Sequence, residues 1–163
     1  REVKLQKPHV VYLESRAADE RGGGRVTIRD LLKATLRLRP DRIVVGEVRG
    51  GEALDLIQAM TSGHGGSMTT AHADSPLDAV HRLETMAMMD DTGLPLNALR
   101  CQVASAVDLI VQIERIHDGR RRISEISRVT GLSGTGDYAI DNIFSRDPHG
   151  KLTRRDAAGG GAQ

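Results

Sequence analysis

Short apolar runs alternate with helical periodicities along this 163-residue chain, and that pattern predicts an α/β protein. The run Ile43-Val44-Val45 predicts a central strand over residues 42–46, because a continuous aliphatic run suits a sheet that is covered on both faces. Residues 67–71 predict a second short strand, and residues 9–14 (HVVYLE) predict a buried strand near the start.

Apolar side chains recur every three or four positions in four segments, and each segment predicts a helix. The first helix is expected to begin at Thr27, which has the sequence form of a capping box with Asp30, and to end before Pro40. The other three helices are predicted over residues 52–61, 76 to about 89, and 94–106.

The last third of the chain changes to a strand-like alternation of apolar and polar positions. Residues 109–116 predict a strand, and the Asp-Gly pair at 118–119 is a hairpin signal that leads into a partner strand over residues 121–129. A further short strand is expected over residues 138–144, and the low-complexity tail 156–163 is expected to be disordered. The predicted order is βαβαβαα followed by an antiparallel β meander, which describes an α/β domain with a C-terminal meander.

Composition and charge narrow the classes of function. Apolar residues make up 39% of the chain and charged residues 28%, which is typical of a globular domain. The net charge of +1 and the aromatic content of 2% argue against a polyelectrolyte role and against stacking on single-stranded nucleic acid. Cys101 is the single cysteine, so no disulfide framework is expected. The chain opens on Arg1 rather than on Met, which favours a piece of a longer protein.

Glu47 directly follows the predicted central strand, and strand ends are where an open α/β sheet builds its sites. An aliphatic strand that ends in an acid is the pattern of a Walker-B motif. In such a motif the carboxylate holds Mg²⁺ through water, or orients the attacking water, beside a triphosphate. The alternative is a salt-bridged acid at a strand end, which the pattern taken alone favours.

His72 follows the second predicted strand in the same manner, and His64, Thr69 and Thr70 lie near it in sequence. Two histidines and two threonines around a Gly-rich break are consistent with contacts to a phosphate. The alternative is that each histidine is a structural hydrogen-bonding residue. A zinc site is poorly supported, because His64 and His72 lack helical spacing and no third ligand is close in sequence.

Arginines surround the central strand in sequence, at positions 37, 39, 42 and 49. Guanidinium groups fit phosphate oxygens bidentately, while the alternative is a solvated basic face. The chain contains no Gly-x-x-x-x-Gly-Lys-Ser/Thr run, so it lacks the loop that cradles the α- and β-phosphates of a nucleotide. Residues 131–136 (GLSGTG) are glycine-rich without the lysine and are expected to form a loop.

The run LRPDRIVVGEVRGGEALDLIQAMTSGHGGSMTTAHADSP, with RLE at residues 82–84 and ASAVDLIVQIER at residues 104–115, resembles the secretion ATPase superfamily. Within it, the likeness is to the CpaF/TadA-type ATPases of tight-adherence (Flp) pilus assembly, which belong to the type II/IV secretion ATPases. It covers roughly residues 2–131. The resemblance implies the C-terminal half of a RecA-like P-loop NTPase fold that hydrolyses ATP with Mg²⁺ as a homo-hexamer.

The resemblance also implies roles for individual residues. The Walker-B motif maps onto residues 43–46, with Glu47 as its acid and as a ligand to Mg²⁺ through water. The His box places His72 near the γ-phosphate. The further residues that we expect to bind the nucleotide are Gly46, Arg49, Glu52, His64, Thr70 and Arg37.

The Walker-A motif and most of the family's Asp box have no counterpart in the chain. We therefore expect a partial ATPase domain over residues 1–131, a C-terminal extension over 132–155 and a tail over 156–163. The implied function is the C-terminal part of a hexameric ATPase that powers pilus assembly or type II or IV secretion. The implied location is cytoplasmic, at the inner face of the cytoplasmic membrane, against inner-membrane platform proteins and without direct contact to nucleic acid. The alternative is a non-catalytic assembly module that keeps the subunit interfaces and binds no nucleotide alone.

Overall fold

The computed structural model describes residues 4–90, 93–116, 119–147 and 149–155. These described residues form two compact units, the first with residues 4–71 and 86–90 and the second with residues 72–85 and those from 93 onward. In chain order the elements are α1 (Ile28–Leu36), β1 (Val44–Val45), α2 (Glu52–Thr61), β2 (Met68–Thr69), α3 (Pro76–Ala87), α4 (Leu96–Ala106), β3 (Leu109–Arg115), β4 (Arg121–Leu132), β5 (Tyr138–Arg146) and β6 (Leu152–Arg154). None of the helices in the described part of the chain is long and apolar enough to cross a membrane.

The first unit contains a two-stranded sheet in which β1 and β2 run parallel. The N–H of Met68 donates to the carbonyl of Ile43 at 2.9 Å, and the N–H of Ile43 donates to the Ser67 hydroxyl at 3.0 Å. This pairing confirms the strands predicted over residues 42–46 and 67–71, although each is shorter than expected. Because the two strands are parallel, the residues that follow them lie at the same edge of the sheet.

Helix α1 begins where the sequence predicts, with Thr27 as its N-cap. The N–H of Asp30 donates to the Thr27 hydroxyl at 3.1 Å, and the N–H of Thr27 donates to the Asp30 carboxylate at 2.9 Å. The side-chain hydrogen bond from Thr27, followed by the backbone one, lowers the pKa of Asp30. The helix ends at Leu36, before the expected stop. Arg39 adopts a φ of +50°, and the ring of Pro40 disfavours helical backbone at the preceding residue.

Helix α2 has the predicted bounds and supplies half of the buried apolar side chains of the first unit. Its buried side chains are Ala53, Leu54, Leu56, Ile57 and Ala59. Each fully buried Leu or Ile contributes about 1.5–3 kcal/mol relative to exposure. Helix α1 packs against α2, and Leu32 is its buried side chain, whereas Leu36 and Leu38 of the expected apolar face are exposed.

The strand predicted over residues 9–14 is wrong. Those residues adopt no regular secondary structure, and the side chains of Val11 and Leu13 are 59% and 43% exposed. A strand needs a neighbour for its backbone hydrogen bonds, and no described strand pairs with this segment. The glycine-rich stretch that follows is closed by a bridge in which Arg16 and Val26 exchange two hydrogen bonds of 2.9 Å.

The second unit contains a four-stranded antiparallel sheet in the order β3-β4-β5-β6. It confirms the predicted meander, with longer β4 and β5 strands than expected, and helix α4 packs against β4. The buried apolar side chains of this unit are Val80, Leu83, Leu99, Val103, Val129 and Tyr138. The Asp118 half of the hairpin signal and the tail 156–163 lie outside the described residues.

Candidate functional site

Glu47 lies two residues beyond the end of β1, at the carboxyl edge of the parallel strand pair. Its carboxylate Oε2 lies 2.5 Å from Nη2 of Arg49. The Glu47 side chain is 17% exposed, while that of Arg49 is 76% exposed. The edge of the sheet therefore carries a shielded acid next to a guanidinium that reaches solvent.

Thr70 holds both chain neighbours of Glu47. Its hydroxyl donates to the Gly46 carbonyl at 2.6 Å, and its own carbonyl accepts the N–H of Val48 at 3.2 Å. These two bonds continue the contact between the strands past the regular pairing of β1 and β2. The backbone on either side of Glu47 is thereby fixed to the segment that follows β2, which positions the acid at this edge.

Glu52 organises the loop that carries Arg49. Its Oε1 accepts the N–H groups of Arg49 at 2.9 Å and Gly50 at 3.2 Å, and its place in the first turn of α2 also suits a carboxylate. A Cβ at Gly50 would lie 3.2 Å from Glu52 Oε2, which is a tight contact with a flexible side chain, and one at Gly51 would lie at an ordinary contact distance of 3.4 Å from Arg29 Nη2. In this structure the Glu52 carboxylate therefore holds the loop by accepting two of its backbone N–H groups.

His64 lies in the turn between α2 and β2 and is half-buried. Its carbonyl accepts a hydrogen bond of 2.7 Å from the Ser67 hydroxyl. Its ring atom Nδ1 is buried and has no hydrogen-bond partner among the residues that the structure describes. A buried nitrogen without a partner is unfavourable, and a polar ligand at this turn is one way to satisfy it. Gly66, which ends the turn, has a φ of +76°, and a Cβ there would lie 3.2 Å from Arg42 Nε.

Two further predicted site residues belong to other segments of the chain. Arg37 is the exposed C-cap of α1, where its N–H donates to the Ala34 carbonyl at 3.1 Å. His72 is exposed and is the first residue of the second unit. The proximity of His72 and Arg37 to Glu47 stays a prediction. The residues brought together around the edge are Gly46, Glu47, Arg49, Glu52 and Thr70.

Arg29 is a residue that the sequence does not single out, and it joins three parts of the first unit. Its Nε donates to Asp55 at 2.6 Å, its Nη1 to Asp90 at 3.0 Å and its Nη2 to the Gly51 carbonyl at 3.0 Å. The hydrogen bond to Asp90 and then that to Asp55 raise the pKa of Arg29. Arg29 thereby ties the N-terminus of α2, directly after the Arg49 loop, to the residues after α3.

A second polar cluster lies in the second unit, around a buried acid. Glu84 is 8% exposed and accepts hydrogen bonds from Arg100 Nε at 2.8 Å and from the Tyr138 hydroxyl at 2.9 Å. Burial, and then the bond to Glu84, raise the pKa of Tyr138. His81 Nε2 lies 2.8 Å from Asp137 Oδ1, and this contact is the main cause of the lowered pKa of Asp137.

The donors at the Glu47 edge fit a magnesium nucleotide in part. Among the described residues there is no group of three His, Cys, Asp or Glu side chains that could enclose a metal ion. A single carboxylate suits Mg²⁺, which keeps several waters and takes further ligands from substrate phosphates. The exposed guanidinium of Arg49 and the unpaired His64 nitrogen suit phosphate oxygens.

Curated proteins of secretion and conjugation systems are similar to this chain. The Mycobacterium tuberculosis (strain ATCC 25618 / H37Rv) protein named "Putative conjugal transfer protein Rv3659c" is 44% identical over 133 residues, which are 82% of this chain and 37% of that protein. Conjugal transfer protein TrbB of Rhizobium radiobacter is 46% identical over 101 residues, or 62% and 30% of the two chains. Type IV secretion system protein VirB11 of Brucella suis biovar 1 is 39% identical over 122 residues, or 72% and 34%. The chain spans about a third of the length of these relatives.

A solved structure and a family model agree with those relatives. The crystal structure of the VirB11 ATPase from the Brucella suis type IV secretion system, in complex with sulphate, matches with a TM-score of 0.58 and 42% identity. That match covers 62% of this chain and 31% of the other. The family model described as Type II/IV secretion system protein matches residues 1–135. Because that match covers most of the chain, the protein belongs to the type II/IV secretion system protein family.

Proposed function

We propose that this chain forms the Walker-B and His-box side of the nucleotide site in an ATPase that powers type IV secretion or conjugal transfer. The observation that carries the proposal is the double attachment of Thr70 to Gly46 and Val48, which presents Glu47 at the strand edge. Site construction at the carboxyl ends of parallel strands is general for α/β folds. The similar proteins are named as a conjugal transfer protein and as a type IV secretion ATPase, and these names are the reason that we propose those two processes.

In this proposal each residue at the edge has a separate task. Glu47 orients the attacking water and holds Mg²⁺ through water, and Mg²⁺ when bound neutralises charge on the phosphates. Arg49 exchanges its contact with Glu47 for a phosphate oxygen, while Glu52 keeps the Arg49 loop in place. His72, His64, Thr70, Gly46 and Arg37 complete the set of residues that we assign to the nucleotide.

The residues that bind the α- and β-phosphates must come from a polypeptide with a Gly-Lys-Ser/Thr loop, because this sequence has no such loop. We further propose that residues 1–131 are one part of a RecA-like domain, that 132–155 extend it, and that the whole protein works as a hexamer against membrane platform proteins.

The competing proposal is an assembly module that keeps subunit contacts and binds no nucleotide alone. The absence of the phosphate-cradling loop is the observation that favours this second candidate.

Assembly of a tight-adherence pilus is a second setting that we propose, on the residues of the Pro40–His72 stretch and of the segment 104–115. The choice between a pilus and a conjugation machine depends on the genes beside this one. Neighbouring genes for prepilins would support the pilus, and neighbouring genes for a mating channel would contradict it.

Calorimetric titration of Mg-ATP into the 163-residue chain tests the proposed site. We expect weak binding that falls at least about tenfold in Glu47→Gln, because an anchor for the metal and water is lost. Asp41→Asn is the matched control, since it removes an exposed carboxylate six positions earlier in the same segment. It should bind as the unsubstituted chain does.

The outcomes separate the two candidates. Binding that Glu47→Gln and His72→Ala weaken, and Asp41→Asn does not, supports the nucleotide site and rules out the assembly-only function. A folded chain that binds no nucleotide at millimolar Mg-ATP supports the assembly module. Equal loss in Glu47→Gln and Asp41→Asn would mean that only general charge matters, which contradicts the assigned role of Glu47.

A further inference from the structure

Gln112 carries a polar side chain on the more shielded face of strand β3. Side chains at alternate positions of a strand share a face. Ile110 and Gln112 are half-buried, whereas residues 109, 111 and 113 on the other face are exposed. Because a shielded amide without a hydrogen bond is unfavourable, the partner of the Gln112 side chain indicates what this residue does.

The Gln112 amide contacts a segment outside the sheet. Its Nε2 donates to the Ala73 carbonyl at 3.0 Å, across 39 positions of the sequence. Ala73 directly follows His72, and residues 70–75 lie in neither a helix nor a strand. This hydrogen bond therefore attaches the backbone next to His72 to a strand of the antiparallel sheet.

The strand pairing is irregular at the position of Gln112. The register of β3 and β4 shifts between Gln112 and Ile113, so Ser124 of β4 has no directly opposite residue on β3. An unpaired residue of this kind bends the strand, increases its local twist and redirects nearby side chains. The Ser124 hydroxyl also donates to the Gln112 carbonyl at 3.4 Å. The irregularity thus occurs at the residue whose side chain reaches Ala73.

Glu125, which is directly opposite Gln112 on β4, offers an alternative acceptor. A carboxylate makes stronger hydrogen bonds than a neutral carbonyl, and opposite residues share a face of the sheet. The Glu125 carboxylate instead accepts the hydroxyl of the buried Ser127, while Gln112 donates to Ala73. The direction of the Gln112 side chain therefore follows the segment after His72 rather than the charge on the neighbouring strand.

Along the chain, His72 lies between two residues that are held by hydrogen bonds. Thr70 is bonded to the residues on either side of Glu47, and Ala73 is bonded to Gln112. Residues 71 and 72 alone separate these two attachments. A functional side chain needs such support, because a site works only when its groups are held close to the productive geometry.

We propose that Gln112 is a positioning residue for His72. The proposal rests on the proposed function, which assigns His72 to the γ-phosphate. In this role Gln112 has no contact with the nucleotide. It acts through the Ala73 carbonyl, which fixes the direction in which the His72 side chain leaves the backbone. The alternative is a purely structural hydrogen bond that stabilises the chain before α3.

NMR of the 163-residue chain tests the positioning without nucleotide. Gln112→Met keeps an unbranched side chain of similar length and removes the amide donor. We expect the Ala73 carbonyl carbon signal to move upfield as its hydrogen bond is lost. The His72 ring signals, assigned with His72→Ala, should move in the same variant. Ring signals of His72 that stay in place would overturn the proposal, whether or not Ala73 moves.

Two control variants separate this role from a general loss of stability. Tyr138→Phe removes another hydrogen bond of the second unit, to Glu84, and should destabilise the chain at least as much as Gln112→Met does. Gln58→Met makes the same replacement at an exposed position of α2. Both controls should leave the His72 signals in place. Equal displacement of those signals in Tyr138→Phe would assign it to lost stability and overturn the proposal.

Calorimetric titration of Mg-ATP gives the functional measurement. We expect Gln112→Met to weaken binding by about two- to tenfold, which corresponds to the net effect of one hydrogen bond. In the His72→Ala background the same substitution should change the affinity by less than about twofold, because the side chain that Gln112 positions is then absent. Equal losses in the two backgrounds would contradict positioning through His72.

The two measurements distinguish failure of this inference from failure of the proposed function. A folded chain that binds no Mg-ATP would contradict the proposed nucleotide site, and the NMR signals would then still decide whether Gln112 holds His72. Nucleotide binding that depends on Glu47 and His72 but not on Gln112 would retain the proposed function and overturn only the role of Gln112.

Discussion

Glu84 on helix α3 accepts a hydrogen bond of 2.9 Å from the hydroxyl of Tyr138 on strand β5. Glu84 lies within the residues that match the family model, and Tyr138 lies just beyond them. The same carboxylate oxygen accepts the Arg100 Nε at 2.8 Å. This contact therefore attaches the last two strands of the sheet to helices of the family-matched part of the chain.

Tyr138→Phe should lower the free energy of unfolding by about 1–2 kcal/mol, because it removes a buried hydrogen bond to a charged acceptor while Arg100 still neutralises Glu84. Urea unfolding followed by circular dichroism measures the change. Tyr12→Phe is the matched control. Tyr12 hydrogen-bonds within an exposed segment, so its loss should cost less than about 0.5 kcal/mol. Equal effects of the two variants would contradict the structural role of Tyr138.

The Tyr138 phenol should titrate above the ordinary phenol pKa of about 10, because burial and its bond to Glu84 raise its pKa. The chain has two tyrosines, so Tyr12→Phe isolates Tyr138 for an absorbance titration at 295 nm. A raised folded pKa means that the contribution of this group to stability is present below pH 10 and is lost as the pH rises through the folded value. Tyrosinate that forms at pH 10 before unfolding would contradict this assignment.

Asp137 should contribute to stability in a pH-dependent manner, because the contact with His81, and then the Tyr138 N–H, lower its pKa. For a carboxyl with a depressed folded pKa, the stabilisation is present above its ordinary pKa of about 4 and is lost as the pH falls through the folded value. Thermal unfolding of the unsubstituted chain and of Asp137→Asn should differ at pH 7, and the difference should shrink below pH 4. A difference that grows on acidification would reverse the sign and contradict the assignment.

Arg29→Lys should destabilise the chain by about 1–3 kcal/mol although it keeps the charge, because an ammonium group cannot make the three separate contacts of the guanidinium. Arg25→Lys, an equivalent change at an exposed position, is the control and should be close to neutral. The measurement is the midpoint of chemical unfolding of both variants. If Arg29→Lys were as stable as Arg25→Lys, the three contacts of Arg29 would carry no net stabilisation.

Thr70→Val should lower stability by about 0.5–1.5 kcal/mol, because it leaves the Gly46 carbonyl without the Thr70 hydroxyl at the end of β1. Thr70→Ser keeps a hydroxyl and should recover most of the loss. Hydrogen exchange at the Val48 amide gives a local reading, since that N–H donates to the Thr70 carbonyl. Faster exchange in Thr70→Val than in Thr70→Ser is the expected result, and equal exchange would mean that the hydroxyl does not hold this edge.

Local signals in the sequence predict the helices well. The Thr27–Asp30 capping box forms as expected, and the bounds of α2 agree with its apolar spacing. Glu84 lies at the helical spacing of the buried residues Val80, Leu83 and Ala87. That position could have indicated a buried acid, and a buried acid requires a partner. The identity of that partner could not be predicted, because Tyr138 is 54 positions away and reaches Glu84 only through the antiparallel sheet.

Strands were less predictable, since a strand exists only with a neighbour. Residues 9–14 have the composition of a buried strand, yet most of them are exposed, none is buried, and they have no strand pairing among the described residues. The aliphatic run of β1 did find a partner in β2. The two segments look alike in sequence, and the difference between them is the availability of backbone hydrogen-bond partners.

The sequence by itself determined the helices, the two strand ends that carry Glu47 and His72, and the secretion-ATPase likeness, because these follow from residues close together along the chain. The tertiary structure decided which residues hold Glu47 in place. Thr70 fixes the backbone on both sides of Glu47. Glu52 fixes the loop that carries Arg49, the ion-pair partner of Glu47. Arg29 connects the end of that loop, at Gly51, to Asp90. Such contacts join positions that are up to 61 residues apart. They depend on how the chain packs, which the spacing of residues along the sequence does not specify.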